Sequence, residues 1–270
     1  MGIELEHVSA GYGSPGGTTD VLKDLTFAIE EGHTVCILGE NGSGKSTLLR
    51  VLAGILDYRG SIRTDEKELS KMSRQKVSQK MAFMTQFSEV YFSYTVWETV
   101  MLGRYLKMKK FLGRPTEKDC ARVQECLEMT GLSDIKDKAL DTLSGGQLQR
   151  VFLARAFAQD TPYILLDEPT NHLDLKYQAQ LAGYLREWVG KETTYPEGRT
   201  QKNTVIGVFH DINLALQIAD ELLIMKDGKI LAYGEKGQIL QSDVLRQAYD
   251  MDIAAYMREQ LRIWDGVNER

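Results

Sequence analysis

Gly39-Glu40-Asn41-Gly42-Ser43-Gly44-Lys45-Ser46-Thr47 satisfies G-x-x-x-x-G-K-[ST] at every fixed position, the pattern of a loop that cradles a polyphosphate. Its flanks suit that reading. Val35-Cys36-Ile37-Leu38, bounded by Gly32 and Gly39, is a short apolar run that reads as a buried strand. Leu48-Leu49-Arg50-Val51-Leu52-Ala53-Gly54-Ile55-Leu56 follows, with apolar positions covering a helix face and its flanks. Strand, glycine-rich turn and helix start together suit an anion. Glycines let the backbone approach closely, amides point at the ligand, and the helix N-terminus adds favourable partial charge. In such a loop Lys45 reaches the β- and γ-phosphates and the Ser46 hydroxyl binds Mg²⁺.

Outward from the loop, alternation in Ile3-Glu4-Leu5-Glu6-His7-Val8 and Leu25-Thr26-Phe27-Ala28-Ile29-Glu30 predicts strands over 3–8 and 25–31. Ser14-Pro15-Gly16-Gly17-Thr18-Thr19 between them reads as a loop. Downstream come a short strand at Gly60-Ser61-Ile62-Arg63, a mostly helical stretch from Lys67 to Lys80, and a strand at Met81-Ala82-Phe83-Met84. From about Tyr94 to Thr142 helix-period segments run without a strand, which predicts an inserted α-helical subdomain. Gln147–Gln159 then reads as a helix, Tyr163-Ile164-Leu165-Leu166 as a buried strand, Lys176–Val189 as a helix, and Thr204–Phe209 as another buried strand. Gly190–Asn203 is polar and aperiodic and reads as a surface loop. Leu222–Met225 and Ile230–Tyr233 flank Lys226-Asp227-Gly228-Lys229, whose Asp-Gly pair suits a hairpin. The tail from Gln238 to Arg270 reads as helical and polar, able to dock two copies together or to hold a regulator. Strands alternating with helices predict an α/β fold with a mainly parallel sheet covered on both faces.

The strand Tyr163–Leu166 runs into Asp167-Glu168. A phosphate-loop NTPase needs one acid at a strand end for Mg²⁺ and a group to orient or deprotonate the attacking water. Adjacent carboxylates supply both, because consecutive strand side chains point to opposite faces.

At Leu143-Ser144-Gly145-Gly146-Gln147 the chain resembles the ATP-binding cassette ATPases, whose signature sequence this is. Other cassette motifs follow the family order over roughly residues 3–235. Gln86 resembles the Q-loop glutamine, Asn171-His172-Leu173-Asp174 the D-loop, His210 the switch histidine, and Tyr12, within Ala10-Gly11-Tyr12-Gly13, the aromatic that stacks on adenine. The resemblance implies a phosphate-loop NTPase (RecA-like) core from 1–90 and 150–235, with an N-terminal antiparallel β portion. It also implies a helical signature subdomain at 91–149 and a helical tail at 236–270. ATP would be held by Tyr12, by Gly39, Asn41, Gly42, Ser43, Gly44, Lys45, Ser46 and Thr47, and by Gln86. Ser144, Gly145, Gly146, Gln147 and Asp174 complete the expected contacts. Mg²⁺ would be held by Ser46, Gln86 and Asp167. Glu168, His210 and Lys45 would be catalytic, while His172 is expected to be structural. The signature loop opens a helix and so offers an anion site. In this family it closes over the γ-phosphate of a second subunit, which implies a homodimer with two shared sites.

Bulk properties bound the function. The chain has 270 residues, 43% hydrophobic and 26% charged, with a formal net charge of −5. That charge argues against a general nucleic-acid binder. No apolar run approaches the ~20 residues of a spanning helix, and the N-terminus carries no signal pattern. Cys36, Cys120 and Cys126 match no metal or redox spacing and read as reduced thiols in a cytosolic protein. If the protein drives transport, its pore lies on separate permease subunits, contacted near Gln86–Val100, with a substrate-binding protein engaged indirectly. The expected location is then the inner face of the cell membrane. Thr95–Arg104, Gly113–Asp119 and His210-Asp211-Ile212-Asn213-Leu214-Ala215 resemble the ATPases of iron–siderophore, haem and cobalamin importers. The alternative is a non-transport cassette such as an iron–sulfur cluster assembly scaffold. Arg104, Lys107, Lys109, Lys110, Arg114 and Lys118 form a basic stretch, either a solvated loop or a contact for anionic headgroups.

Overall fold

The computed structural model describes residues 2–14, 17–85, 94–108, 114–171, 173–195, 198–241 and 243–262. In chain order, β1 (Ile3–Ser14) and β2 (Gly17–Ile29) form an antiparallel pair, and β3 (Thr34–Leu38) leads into α1 (Lys45–Leu52). Next come β4 (Arg59–Thr64), β5 (Lys67–Glu68), α2 (Arg74–Ser78) and β6 (Met81–Met84). The helical segment holds α3 (Val96–Met101), α4 (Glu117–Met129) and the start of α5 (Gly145–Gln159). After it come β7 (Tyr163–Asp167), α6 (Leu175–Val189), β8 (Glu192–Thr194), β9 (Thr200–Lys202), β10 (Thr204–Val208) and α7 (Ile212–Ile218). The chain ends with β11 (Glu221–Lys226), β12 (Lys229–Glu235), α8 (Lys236–Leu240), α9 (Val244–Tyr249) and α10 (Ile253–Leu261).

The main sheet has the order β12-β11-β3-β10-β7-β6; its strands are parallel except the β11–β12 hairpin. The period-2 geometry of its strands divides the core in two. Val35, Ile37, Leu165, Ile206 and Leu223 pack toward α1 and the antiparallel sheet β2-β1-β4-β5. Cys36, Leu38, Ile164, Leu166 and Leu222 pack toward α5, α6, α7 and the helical segment. Both faces are covered, so β3, β7 and β10 are buried along their whole length and read as continuous apolar runs.

Three sequence expectations change. Ser14–Thr19 is mostly strand, because Ser14 pairs with Gly17, Gly13 with Thr18 and Tyr12 with Thr19 in a long hairpin; residues 15–16 lie outside the described residues. Lys67–Lys80 is helical only over α2 and a single 3-10 turn. Gly190–Asn203 contains the β8–β9 hairpin, in which Thr193, Gln201 and Asn203 are buried. Their polar groups find partners inside: Thr193 Oγ1 donates to Asn203 Oδ1 (2.7 Å), and Gln201 Nε2 donates to the Tyr163 hydroxyl (2.6 Å). The described part of the tail is helical, as expected, and buries Ile239, Leu245, Ala248 and Ile253.

Between Tyr94 and Thr142 the described residues contain no strand beyond an isolated Thr95–Ala139 bridge. Two cations of the basic stretch are committed internally. Buried Arg104 donates to Asp119 (3.0 Å) and to the Ala158 carbonyl (2.7 Å), and Lys107 pairs with Asp160 (2.8 Å). Lys109 and Lys110 lie outside the described residues. No helix among the described residues is long and apolar enough to cross a membrane.

Candidate functional site

β3 gives way to the phosphate-binding loop at Gly39. A Cβ there would stand 2.1 Å from the Met225 carbonyl oxygen, so only glycine permits this approach. Gly42 (φ 83°) and Gly44 (φ 102°) take left-handed backbone, which turns the chain into α1. Lys45 is buried, and its ammonium donates to the carbonyls of Gly39 (2.7 Å) and Glu40 (2.8 Å). Burial lowers its pKa from the ordinary lysine value, while Glu168, Asp167 and Glu40 pull the other way. The Ser43 hydroxyl is buried within the loop without a hydrogen-bond partner. An orphaned donor beside a buried cation and a glycine-lined helix start fits a ligand rich in acceptor oxygens, such as a polyphosphate.

β7 delivers two carboxylates. Asp167, its last residue, accepts from the Ser46 hydroxyl at 2.8 Å. Burial raises its carboxyl above the usual range, against the Ser46 hydrogen bond. Ser46 and Asp167 are hard oxygen donors of the kind Mg²⁺ takes alongside phosphate and water. Among the described residues there is no cluster of three or more acidic, histidine or cysteine groups that could hold a metal alone. The pair therefore suits a cation brought with a phosphate ligand.

Glu168 leaves the strand in left-handed backbone (φ 55°) and is held through its backbone and both carboxylate oxygens. Its amide donates to the Val208 carbonyl (3.0 Å), and its own carbonyl accepts from Gln149 Nε2 (3.1 Å). Oε1 lies 2.5 Å from His210 Nε2, and Oε2 accepts from Asn171 Nδ2 at 2.6 Å. His210 follows β10, which pairs with β7, so sheet register brings it to Glu168. A held carboxylate against an imidazole is an arrangement that can take and pass a proton.

The remaining expected residues lie on other elements. Tyr12 lies on β1, exposed, with its hydroxyl accepting from Arg50 at 2.8 Å. Ser144 caps α5 in a capping box: its hydroxyl accepts from the Gln147 amide, and the Gln147 side chain accepts from the Ser144 amide. Asp174 caps α6 by accepting from the Tyr177 amide (3.0 Å). No hydrogen bond among the described residues joins Ser144, Gln147 or Asp174 to loop 39–47. Gln86 and His172 lie outside the described residues.

The structure adds Gln149, Asn171 and Tyr249, none of which sequence reasoning assigned a role. Asn171 sits within the D-loop-like stretch, so spacing from Glu168 could have flagged it. Tyr249 is 210 residues from Gly39 and gives no local signal. Gly39, Glu40, Asn41, Phe209, His210 and Tyr249 line a recess of about 450 Å³. A roomier cavity, about 770 Å³, opens at the other end of β3 beside Thr34 and Asp220. None of the loop residues lines it, so size alone does not locate this site.

The sequence profile of the ABC transporter family matches residues 22–171. The chain is 34% identical over 265 residues to the petrobactin import ATP-binding protein YclP of Bacillus subtilis (strain 168), covering 97% of this chain and 98% of that one. It is 33% identical over 247 residues to the ferric enterobactin transport ATP-binding protein FepC of Escherichia coli (strain K12), covering 91% and 86%. Among solved structures it is similar to a dimeric ATP-binding cassette in a post-hydrolysis state bound to ADP and Pi. That match has a TM-score of 0.73 and 29% identity, over 86% of this chain and 98% of that one.

Proposed function

This chain belongs to the ABC transporter family and is one of its ATP-hydrolysing ATP-binding subunits, and from that premise we propose that it powers uptake of an iron chelate. The observation that carries the ATPase mechanism is the Glu168 carboxylate, held by Asn171 and His210 beside a phosphate loop whose Ser46 meets Asp167. In this reading the amides of residues 42–47 and Lys45 hold the polyphosphate. Ser46 and Asp167, with Gln86, would hold Mg²⁺, which would neutralise charge on the phosphate oxygens. Glu168 takes the proton of the attacking water; Asn171 on Oε2 and His210 on Oε1 keep it aimed. Tyr12 stacks on adenine.

The site is completed by a second chain. Ser144 and Gly145 are exposed at the start of α5, an anion-binding helix end turned to solvent. Asp174 is exposed beside Leu175, whose side chain is 82% accessible, an apolar group suited to an interface. Both features, and the similarity to a dimeric cassette, support a head-to-tail homodimer in which Ser144, Gly145, Gly146, Gln147 and Asp174 serve the partner's nucleotide.

Separate permease subunits would be received near Gln86–Val100, where Tyr94 is exposed and Trp97 half-buried. The relatives' solutes, petrobactin and ferric enterobactin, support an iron chelate as cargo and an assembly at the inner face of the membrane. The test is ATP-dependent dimerisation of Glu168→Gln, followed by light scattering with Mg-ATP or Mg-ADP. A dimer with ATP alone is expected. Continued hydrolysis by this variant would remove Glu168 as base. Purification in a soluble complex with assembly factors, instead of with a polytopic membrane protein, would overturn the importer reading.

A further inference from the structure

The C-terminal tail touches the phosphate-binding loop at one point. The hydroxyl of Tyr249, the last residue of α9, accepts the Gly39 amide N–H at 3.0 Å. This amide lies just past the end of β3, where the ladder has stopped: Ile37 pairs with Val208 and Leu38 with Ile224, and no strand partner remains for Gly39. A part-buried N–H in that position needs an acceptor from elsewhere, and the tail supplies it.

The tyrosine is itself held in place. Asp250 follows in left-handed backbone (φ 49°), and Lys226 reaches both sides of Tyr249. Its ammonium donates to the Gln247 carbonyl (2.7 Å) and to the Asp250 carboxylate (2.8 Å). Lys226 follows Met225, the residue whose carbonyl abuts Gly39. The same hairpin meets the loop again at its tip, where the Gly228 amide donates to the Ser43 carbonyl (3.2 Å). Gly39, the β11–β12 hairpin and segment 247–250 thus form a closed ring of contacts. Burial raises the Tyr249 phenol above the ordinary tyrosine value, and nearby Glu40 adds to this although the Gly39 hydrogen bond lowers it. The hydroxyl therefore stays protonated at neutral pH, accepting from Gly39 while keeping a proton to donate.

We propose that Tyr249 is a positioning residue for the phosphate-binding loop, clamped by Lys226 and Asp250, so that the tail forms part of the nucleotide site. The inference rests on the reading of residues 39–47 as the ATP loop. Tyr249 acts through Gly39 and Glu40, whose carbonyls seat the Lys45 ammonium. With the tether in place the loop is ordered before nucleotide arrives. Without it, that ordering has to be done on binding, and affinity falls while chemistry at Glu168 is untouched.

The test uses the full chain, Mg-ATP titrated calorimetrically, and steady-state hydrolysis. Tyr249→Phe keeps the buried ring and removes only the hydroxyl. Its ATP Kd and KM should rise about three- to tenfold, the scale of one neutral hydrogen bond, with kcat within about twofold of the parent. Lys226→Met should shift KM in the same direction. The double variant should be no weaker than the weaker single, because both remove one tether. A tyrosine that only packs the tail would leave KM unchanged in Tyr249→Phe, and that result overturns the proposal. Losses that multiply in the double variant would also overturn it. A parent chain that failed to bind ATP would instead sink the proposed function, so the two failures are distinguishable.

Discussion

The two oxygens of Glu168 are held from opposite partners, Oε2 by Asn171 at 2.6 Å and Oε1 by His210 at 2.5 Å. A carboxylate this constrained enters the reaction already oriented. Asn171→Ala should lower kcat roughly tenfold, the scale of one hydrogen bond to a charged group, and leave the KM for ATP unchanged. Asn171→Asp should do more, since it replaces the donor with a carboxylate that repels Glu168. A kcat equal to the parent's in both variants would mean that Asn171 does not hold the base.

Tyr12 is exposed, with its hydroxyl engaged by Arg50 and its ring stacked on no other aromatic among the described residues. If the ring stacks on adenine, Tyr12→Phe should bind ATP as the parent does and Tyr12→Ala about tenfold more weakly, since base–aromatic stacking contributes about 1–3 kcal/mol. Binding of inorganic triphosphate, which has no base, should be equal in all three. Equal ATP affinity across the series would show that another residue receives the base.

The pair Arg104–Asp119 pins the helical segment and gives a pH-dependent stability term. Burial alone would raise the Asp119 carboxyl, but hydrogen bonds from Thr116 and the Arg104 guanidinium hold it below the usual carboxylate range. A carboxyl with a lowered folded pKa contributes stability that is present above its unfolded value, about 3.9. That contribution is lost as pH falls through the folded value. Asp119→Asn keeps an acceptor for the cap but leaves buried Arg104 without its nearest carboxylate. It should cost on the order of 3 kcal/mol at pH 7, read by urea unfolding. The deficit should shrink below about pH 4, where the parent's carboxyl also protonates. A deficit independent of pH would assign the loss to packing.

How far the sequence carried the reading depended on how local each signal was. The loop 39–47, its strand and its helix lie within one continuous stretch, so spacing alone located them. The β8–β9 hairpin reads as a surface loop because its core-facing residues are Thr193 and Gln201; they are buried through hydrogen bonds to Asn203 and to the Tyr163 hydroxyl that no hydrophobic pattern announces. The basic stretch at 104–118 looked like a surface feature until Arg104 was found inside, against Asp119 and the Ala158 carbonyl. Tyr249 was invisible for a different reason. Its meaning lies in a contact across 210 residues, which propensity and periodicity do not encode.

Ser144 and Lys45 sit on the same chain, yet no hydrogen bond among the described residues joins the signature helix start to the phosphate loop. A shared site makes a specific expectation of mixed chains. Lys45→Ala should abolish the loop function, and Ser144→Arg should block the signature side; each variant alone should hydrolyse ATP at no more than about a hundredth of the parent rate, as loss of a main charge-stabilising group implies. In a heterodimer of the two, the intact loop of the Ser144→Arg chain faces the intact signature of the Lys45→Ala chain. One of the two composite sites is then complete, and mixing should restore activity well above either variant. If both sites were built within single chains, every site in the mixture would carry a lesion and mixing would restore nothing. The readout is ATPase rate against mixing ratio, which should peak near equal amounts and vanish at both ends.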